Sequence, residues 1–254
     1  MSTATTNDRA SWLRGPSTCC SNMPTGSKDP WRIVLLGAPG VGKGTQAQLL
    51  TQKLGSCHLS TGDVFRAAKS LGEKNLTPAM NVALACMKAG KLVPDVTVID
   101  MVRERTKCLT CSGGFILDGF PRTVQQAENL QQMLQQQGLV MDGVLDFVLP
   151  IDQIVERLSG RRTCVNCKAV YHVTGMPPKV ENVCDGCGKA LIQREDDRPE
   201  AIRIRMAAYQ ESTSPLTNFY KARKLLLPVS ADGAPEDICI RAVASLERAR
   251  ASRA

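Results

Sequence analysis

The stretch G-A-P-G-V-G-K-G-T at residues 37–45 constrains this chain more than any other. An apolar run, Ile33-Val34-Leu35-Leu36, precedes it, and the helix-forming residues 46–54 follow. Strand, glycine loop, helix is the context in which a G-x-x-x-x-G-K motif makes a phosphate cradle. Glycines let the backbone wrap close enough for its N–H groups to point at phosphate oxygens. The helix behind the loop adds a partial positive charge at its N-terminus. Lys43 supplies a mobile point charge for the outer phosphates. The hydroxyl residue that usually follows the lysine is displaced by one position, from Gly44 to Thr45. A plain glycine turn before an ordinary helix is the bland alternative, and the agreement of motif with context argues against it.

The rest of the chain alternates short apolar runs with helical patterns. Strands are expected at 32–36, 56–59, 115–117, 144–149 and 225–229. Helices are expected at 43–54, 61–70, 78–89, 95–107, 123–137, 151–159, 199–220 and 235–250. Strands apolar on both faces and separated by helices predict an α/β fold, a parallel sheet with helices on both sides. With 254 residues the chain can build one such core with inserts. The nucleotide-binding core takes 31–59, 94–159 and 198–254. A helical insert takes 60–93, and a Cys-, Gly- and Pro-rich insert takes 160–197. Residues 1–30 are rich in Ser and Thr and lack apolar periodicity, which predicts a disordered tail. Their composition also fits an organelle-import segment, although a cytoplasmic location is the primary expectation. No apolar run approaches the ~18 residues that span a membrane.

Eleven cysteines in a chain whose opening residues lack a signal-peptide apolar region read as metal ligands, catalytic groups or small buried hydrophobes. Cys164, Cys167, Cys184 and Cys187 form C-x2-C-x16-C-x2-C, within the spacing of tetrahedral zinc sites. Four protein sulfurs leave no open position, so such a zinc is structural. Four metal-free thiols or two disulfides are the alternatives. Cys108 and Cys111 form a lone, weaker pair, and Cys57, Cys86 and Cys239 read as packed hydrophobes. His172 reads as packed or exposed.

The segment F-I-L-D-G-F-P-R at 115–122 ends a buried strand with an acid and then an arginine. Ligands collect at the carboxyl edge of a parallel sheet. Asp118 there can hold water on Mg²⁺, and Arg122 can fork onto a phosphate. A capping Asp and a surface Arg are the alternative. S-T-G-D at 60–63 reads as a helix start, with Arg66 on its first turn. The net charge of +8 fits nucleic-acid binding, a solvated surface, or arginines gathered around polyphosphate.

Together these motifs resemble the adenylate kinase family, from about Arg32 to Tyr220. G-F-P-R-T-x-x-Q-A from Gly119 to Ala127, G-R-R at 160–162 and Q-R-E-D-D at 193–197 extend the match, and the four cysteines resemble the family's zinc-bearing long lid. The resemblance implies a donor site of Gly40, Val41, Gly42, Lys43, Gly44, Thr45, Arg161, Val170, Tyr171 and Pro235. It implies an AMP site of Thr61, Arg66, Lys91, Leu92, Val93, Gly119, Phe120, Pro121, Arg122, Gln126, Arg194 and Arg205. Lys43, Asp118, Arg122, Arg157, Arg161, Arg194 and Arg205 would carry catalysis. The implied substrates are ATP, AMP and ADP, with Mg²⁺ on ATP and structural Zn²⁺ in the lid. The implied activity is in-line transfer without a general base, under a closing lid, in adenine nucleotide homeostasis. A monomer without nucleic-acid or membrane partners is expected. Another monophosphate acceptor or a GTP donor stays open, and a zinc-ribbon nucleic-acid-binding protein is the remote alternative.

Overall fold

All the core strands but β2 (Cys57–Ser60) send apolar side chains to both sides, so the sheet needs a helical layer on each face. The computed structural model describes residues 30–62, 78–88, 93–103, 109–110 and 113–253. Arg66, Lys91, Leu92, Cys108, Cys111, most of the helix expected at 61–70 and nearly all of the expected tail lie outside them. Five strands, β1 (Trp31–Leu36), β2 (Cys57–Ser60), β3 (Gly114–Asp118), β4 (Gly143–Val148) and β8 (Leu226–Ser230), pair in the order β2-β3-β1-β4-β8. All four pairings are parallel.

Alternate residues of each strand enter different layers. Val34, Leu36, Leu59, Phe115, Leu117 and Val144 pack with helices α2 (Pro78–Lys88), α3 (Asp95–Arg103), α4 (Val124–Gln136) and α7 (Pro215–Ala222). Ile33, Leu35, Ile116, Leu145 and Phe147 pack with α1 (Lys43–Leu54), α5 (Ile151–Ser159), α6 (Pro199–Ala208) and α8 (Pro235–Ala251). The expected α/β architecture is therefore present. Among the described residues no helix is long and apolar enough to cross a membrane.

Register brings the strand ends together. Leu35 and Ser60 both pair with Asp118, and Leu36 pairs with Asp146. The loops after β1, β2 and β3, the start of α5 and the loop after β8 thus share one edge.

Two expectations are corrected. The single helix expected at 199–220 is broken into α6, a π turn at Tyr209–Thr213, and α7. Pro215 has no N–H and its ring crowds the carbonyl four residues back, so α-helix cannot run through it. The Ser214 N–H instead donates five residues back, to Tyr209 O at 2.8 Å. The Cys-rich insert, where no strand was expected, contains a small antiparallel sheet of β5 (Arg161–Cys164), β6 (Val170–His172) and β7 (Leu191–Ile192), ordered β6-β5-β7. Two to four residues are too few to show a period of two.

Candidate active site

The loops at the shared edge line a cleft of about 1210 Å³. Its floor is the glycine loop between β1 and α1. Gly40 and Gly42 have φ of +86° and +102°, the left-handed region that suits glycine. A Cβ on Gly40 would stand 2.5 Å from Leu158 Cγ, so the loop lies flat on α5 only without one.

Lys43 opens α1 and folds back, donating to Gly37 O at 2.6 Å and Ala38 O at 3.0 Å. Burial lowers its pKa to about 8; Asp118 opposes the shift, while Arg122, Arg205 and Arg161 add to it. Asp118 closes β3 beside Gly44, whose Cβ position is 3.8 Å from Asp118 Oδ2. The same oxygen lies 3.5 Å from His58 Nε2 on β2. Asp146, a residue hidden in an apolar strand pattern, lies within electrostatic reach of Lys43. Burial raises its carboxyl pKa, and Lys43 opposes that.

The Thr61 hydroxyl donates to Gly119 O at 2.9 Å. Gly119 has φ +84°, and a Cβ there would meet Thr61 Oγ1 at 2.7 Å. Arg122 Nε also donates to Gly119 O, at 2.9 Å. Gln126 faces the cleft from the first turn of α4, with its amide held by Arg122 and by Asp95. Val93, Gly119 and Pro121 line the same wall. Phe120 does not: it is fully buried in the core layer with α4, so its side chain faces away from the cleft.

Four arginines close the circle. Arg157 from α5 donates to Val41 O at 3.3 Å and to Ala231 O at 2.9 Å. Arg161 on β5 grips Asp197 with two nitrogens, Nε at 2.8 Å. Arg205 from α6 reaches Asp196 Oδ2 at 3.1 Å and Asp197 Oδ1 at 3.6 Å. Burial lowers the Arg205 pKa and Asp196 opposes the shift. Arg194 Nε donates to Thr163 Oγ1 at 2.9 Å. Asp197 itself is completely buried. Together with Lys43, Asp118 and Arg122, all four arginines line the one cleft.

Two donor-site expectations change in detail. Tyr171 lines the cleft, but its hydroxyl turns into the cysteine cluster, accepting from Asp185 N–H at 2.9 Å and lying 3.5 Å from Cys184 Sγ. Its ring belongs to the small core of the cysteine-rich insert. The Pro235 carbonyl already accepts from Gln46 Nε2 at 2.9 Å. His172 is neither simply packed nor simply exposed. Its Nδ1 accepts from the N–H of Gly175 at 3.0 Å and of Thr174 at 3.3 Å. That leaves Nε2 as the protonated nitrogen, donating to Glu156 O at 3.3 Å.

In the lid, Cys164 Sγ is 3.4 Å from Cys187 Sγ, and Cys167 Sγ is 3.5 Å from Cys184 and Cys187. A disulfide needs ~2.05 Å, so none of these sulfurs is bonded to another. All four lie within 4.8 Å of one another. Sulfurs ~2.3 Å from a tetrahedral zinc stand about 3.8 Å apart, so the set fits that ion. The two knuckles are alike: each ends on a positive φ, 62° at Lys168 and 67° at Gly188.

Asp95, Asp146, Asp197, Gln46 and His172 join the cleft or its supports without having been singled out as site residues. Only Asp197 carried a signal, as the end of Q-R-E-D-D; the others are ordinary residues of a helix start, a strand or a helix.

Comparison with known proteins agrees with this geometry. A family model described as adenylate kinase matches residues 35–225. An adenylate kinase of Acidothermus cellulolyticus is 49% identical over 215 residues, covering 85% of this chain and 97% of that protein. One from Streptomyces griseus is 47% identical over 217 residues, covering 85% and 97%. One from Carboxydothermus hydrogenoformans is 45% identical over 207 residues, covering 82% and 95%.

Proposed function

This chain belongs to the adenylate kinase family of nucleoside-monophosphate phosphotransferases, and from that premise we propose that it moves the terminal phosphoryl group of Mg-ATP reversibly to AMP, giving two ADP. The observation that carries the reading is the single cleft lined by Lys43, Asp118, Arg122, Arg157, Arg161, Arg194 and Arg205. Two polyanions must meet there, and six cationic side chains offset their repulsion.

Phosphoryl transfer leaves little covalent chemistry to the protein; positioning and charge do the work. A phosphate monoester has a second pKa near ~6, so AMP is largely dianionic at neutral pH and needs no general base. Lys43 and the loop N–H groups hold the donor phosphates. Arg122 lies on the AMP side, and Arg161, Arg194 and Arg205 reach from the lid and its border toward the moving group. Asp118 and Thr45 offer the oxygen ligands that Mg²⁺ prefers, directly or through water. When bound with ATP, that ion neutralises charge on the phosphates. Closure of residues 160–197 over the cleft excludes water, the competing acceptor. Loss of any one of these arginines should lower turnover on the order of 10²-fold.

The test is nucleotide chromatography of reactions with each monophosphate in turn, using Mg-ATP or Mg-GTP as donor and Lys43→Ala in parallel. The reading expects AMP and ATP to be preferred and the Lys43→Ala protein to be inactive. Equal transfer to several monophosphates, or a GTP preference, would replace the substrate assignment. No transfer to any of them would remove the reading itself.

A further inference from the structure

Asp95 was not implied by any motif, yet both of its carboxylate oxygens are committed inside the acceptor wall. Oδ1 accepts from Gln126 Nε2 at 2.7 Å, and Oδ2 accepts from the Thr123 hydroxyl at 2.7 Å. Thr123 Oγ1 in turn accepts the Gln126 N–H at 3.2 Å, as the N-cap of α4. On its other side the Gln126 amide oxygen accepts the Arg122 N–H at 2.8 Å. A carboxylate can only accept and a backbone N–H can only donate, so the amide has one orientation here.

With those two bonds made, Nε2 has one N–H and Oε1 one lone pair left for a ligand, on a side chain that lines the cleft. Such a donor–acceptor pair matches the amino group and neighbouring ring nitrogen of adenine. Guanine presents a carbonyl and a ring N–H in those places, the reverse order. An amide free to flip serves either base; one that is pinned serves one of them. We infer that Asp95 is a positioning residue for base selection, pinning Gln126 so that the acceptor site takes AMP and rejects GMP. The inference rests on the assignment of AMP as acceptor. Asp95 also opens α3, where an acid in the first turn is favourable on its own, and the test must separate the two roles.

The experiment measures Kd for AMP and for GMP by calorimetry on the full chain, and KM and kcat for AMP with Mg-ATP. It compares the wild type with Asp95→Ala, Asp95→Glu and Asp95→Asn. The glutamate keeps the charge at the helix start but moves the carboxylate by a methylene. The asparagine keeps the reach, with Oδ1 accepting from Gln126 and Nδ2 donating to Thr123 Oγ1. Positioning predicts that Asp95→Ala and Asp95→Glu lose on the order of tenfold in the AMP-over-GMP affinity ratio. KM for AMP rises in parallel, KM for ATP stays in place, and Asp95→Asn restores most of the ratio. If the alanine variant does not fold, the glutamate and asparagine pair decides alone. A selectivity ratio unchanged in the folded glutamate variant, with or without a shift in Tm, overturns the inference and leaves the kinase reading standing. A wild type that binds GMP as well as AMP overturns the acceptor assignment and the inference with it.

Discussion

At the scale of single residues, the cleft without nucleotide is a place where positive charge is unwelcome. Burial brings the Lys43 pKa from 10.5 to about 8, and three arginines push the same way. A base whose pKa is lower in the folded state costs stability while it is protonated there. That cost is present below about pH 8 and is relieved as the pH rises toward 10.5. Phosphate oxygens reverse the balance by favouring the ammonium form. Binding of Mg-ATP at a pH just above 8 should therefore take up a proton, and at pH 6.5 it should take up almost none from this group. Calorimetry in two buffers of different ionisation enthalpy reads the difference, and proton release at the higher pH would contradict this account of Lys43. Asp197 is the counterpart for the arginines. It is completely buried and holds Arg161 with two contacts and Arg205 with a third. Asp197→Ala should cost about 2 kcal/mol, a charged hydrogen-bond network lost around partners that keep some water. It should also slow transfer by freeing Arg161 to swing. A denaturation midpoint equal to the wild type's would show that the arginines do not lean on it.

At the scale of elements, the join between α5 and the lid depends on a missing side chain. Gly160 has an ordinary helical φ of −82°, so its backbone does not demand glycine. Space does: a Cβ there would stand 2.2 Å from His172 Nε2. Gly160→Ala should evict the imidazole, break its bond to Glu156 O and cost about 1–2 kcal/mol. In the double variant with His172→Ala the penalties should fail to add, because the second change removes the ring that the first one strikes. Additive penalties in urea unfolding would put the clash elsewhere. The lid beyond this join has a small core of Cys164, Tyr171, Cys184 and Leu191, too little to order it by burial alone. Its folding energy is expected to come from zinc. Metal analysis should find a single zinc on the four sulfurs. Refolding with a chelator should leave the five-stranded core helical by circular dichroism and open residues 160–197 to protease. Unchanged protease resistance and thermal stability after zinc loss would make the ion dispensable to structure.

At the scale of the whole molecule, the parts legible in the sequence are those whose physics is local. The glycine loop, the β/α alternation and the cysteine spacing each declare themselves within a few residues. The residues that escaped notice act through partners distant in sequence. Asp95 matters because α4 brings Gln126 against it, and Gln46 because Pro235 returns from 189 residues away. Asp146 is a single acid in an apolar run, and what sets it apart, burial that raises its pKa and a Lys43 charge that opposes this, comes from the fold around it. Phe120 shows the converse, since the side chain of a residue inside a site motif can belong to the core while its neighbours Gly119 and Pro121 line the cleft. What the fold achieves is to bring the loops that follow β1, β2, β3 and β8, the start of α5 and the cysteine-rich insert around one cleft, where the proposed reaction would set donor and acceptor side by side. In the proposed reaction the phosphoryl group passes directly between them, without resting on the protein. The most direct measurement is the configuration at phosphorus after one transfer from ATP made chiral at the terminal phosphoryl group. A single in-line displacement predicts inversion; retention would mean two displacements through a phosphorylated side chain and would contradict the account.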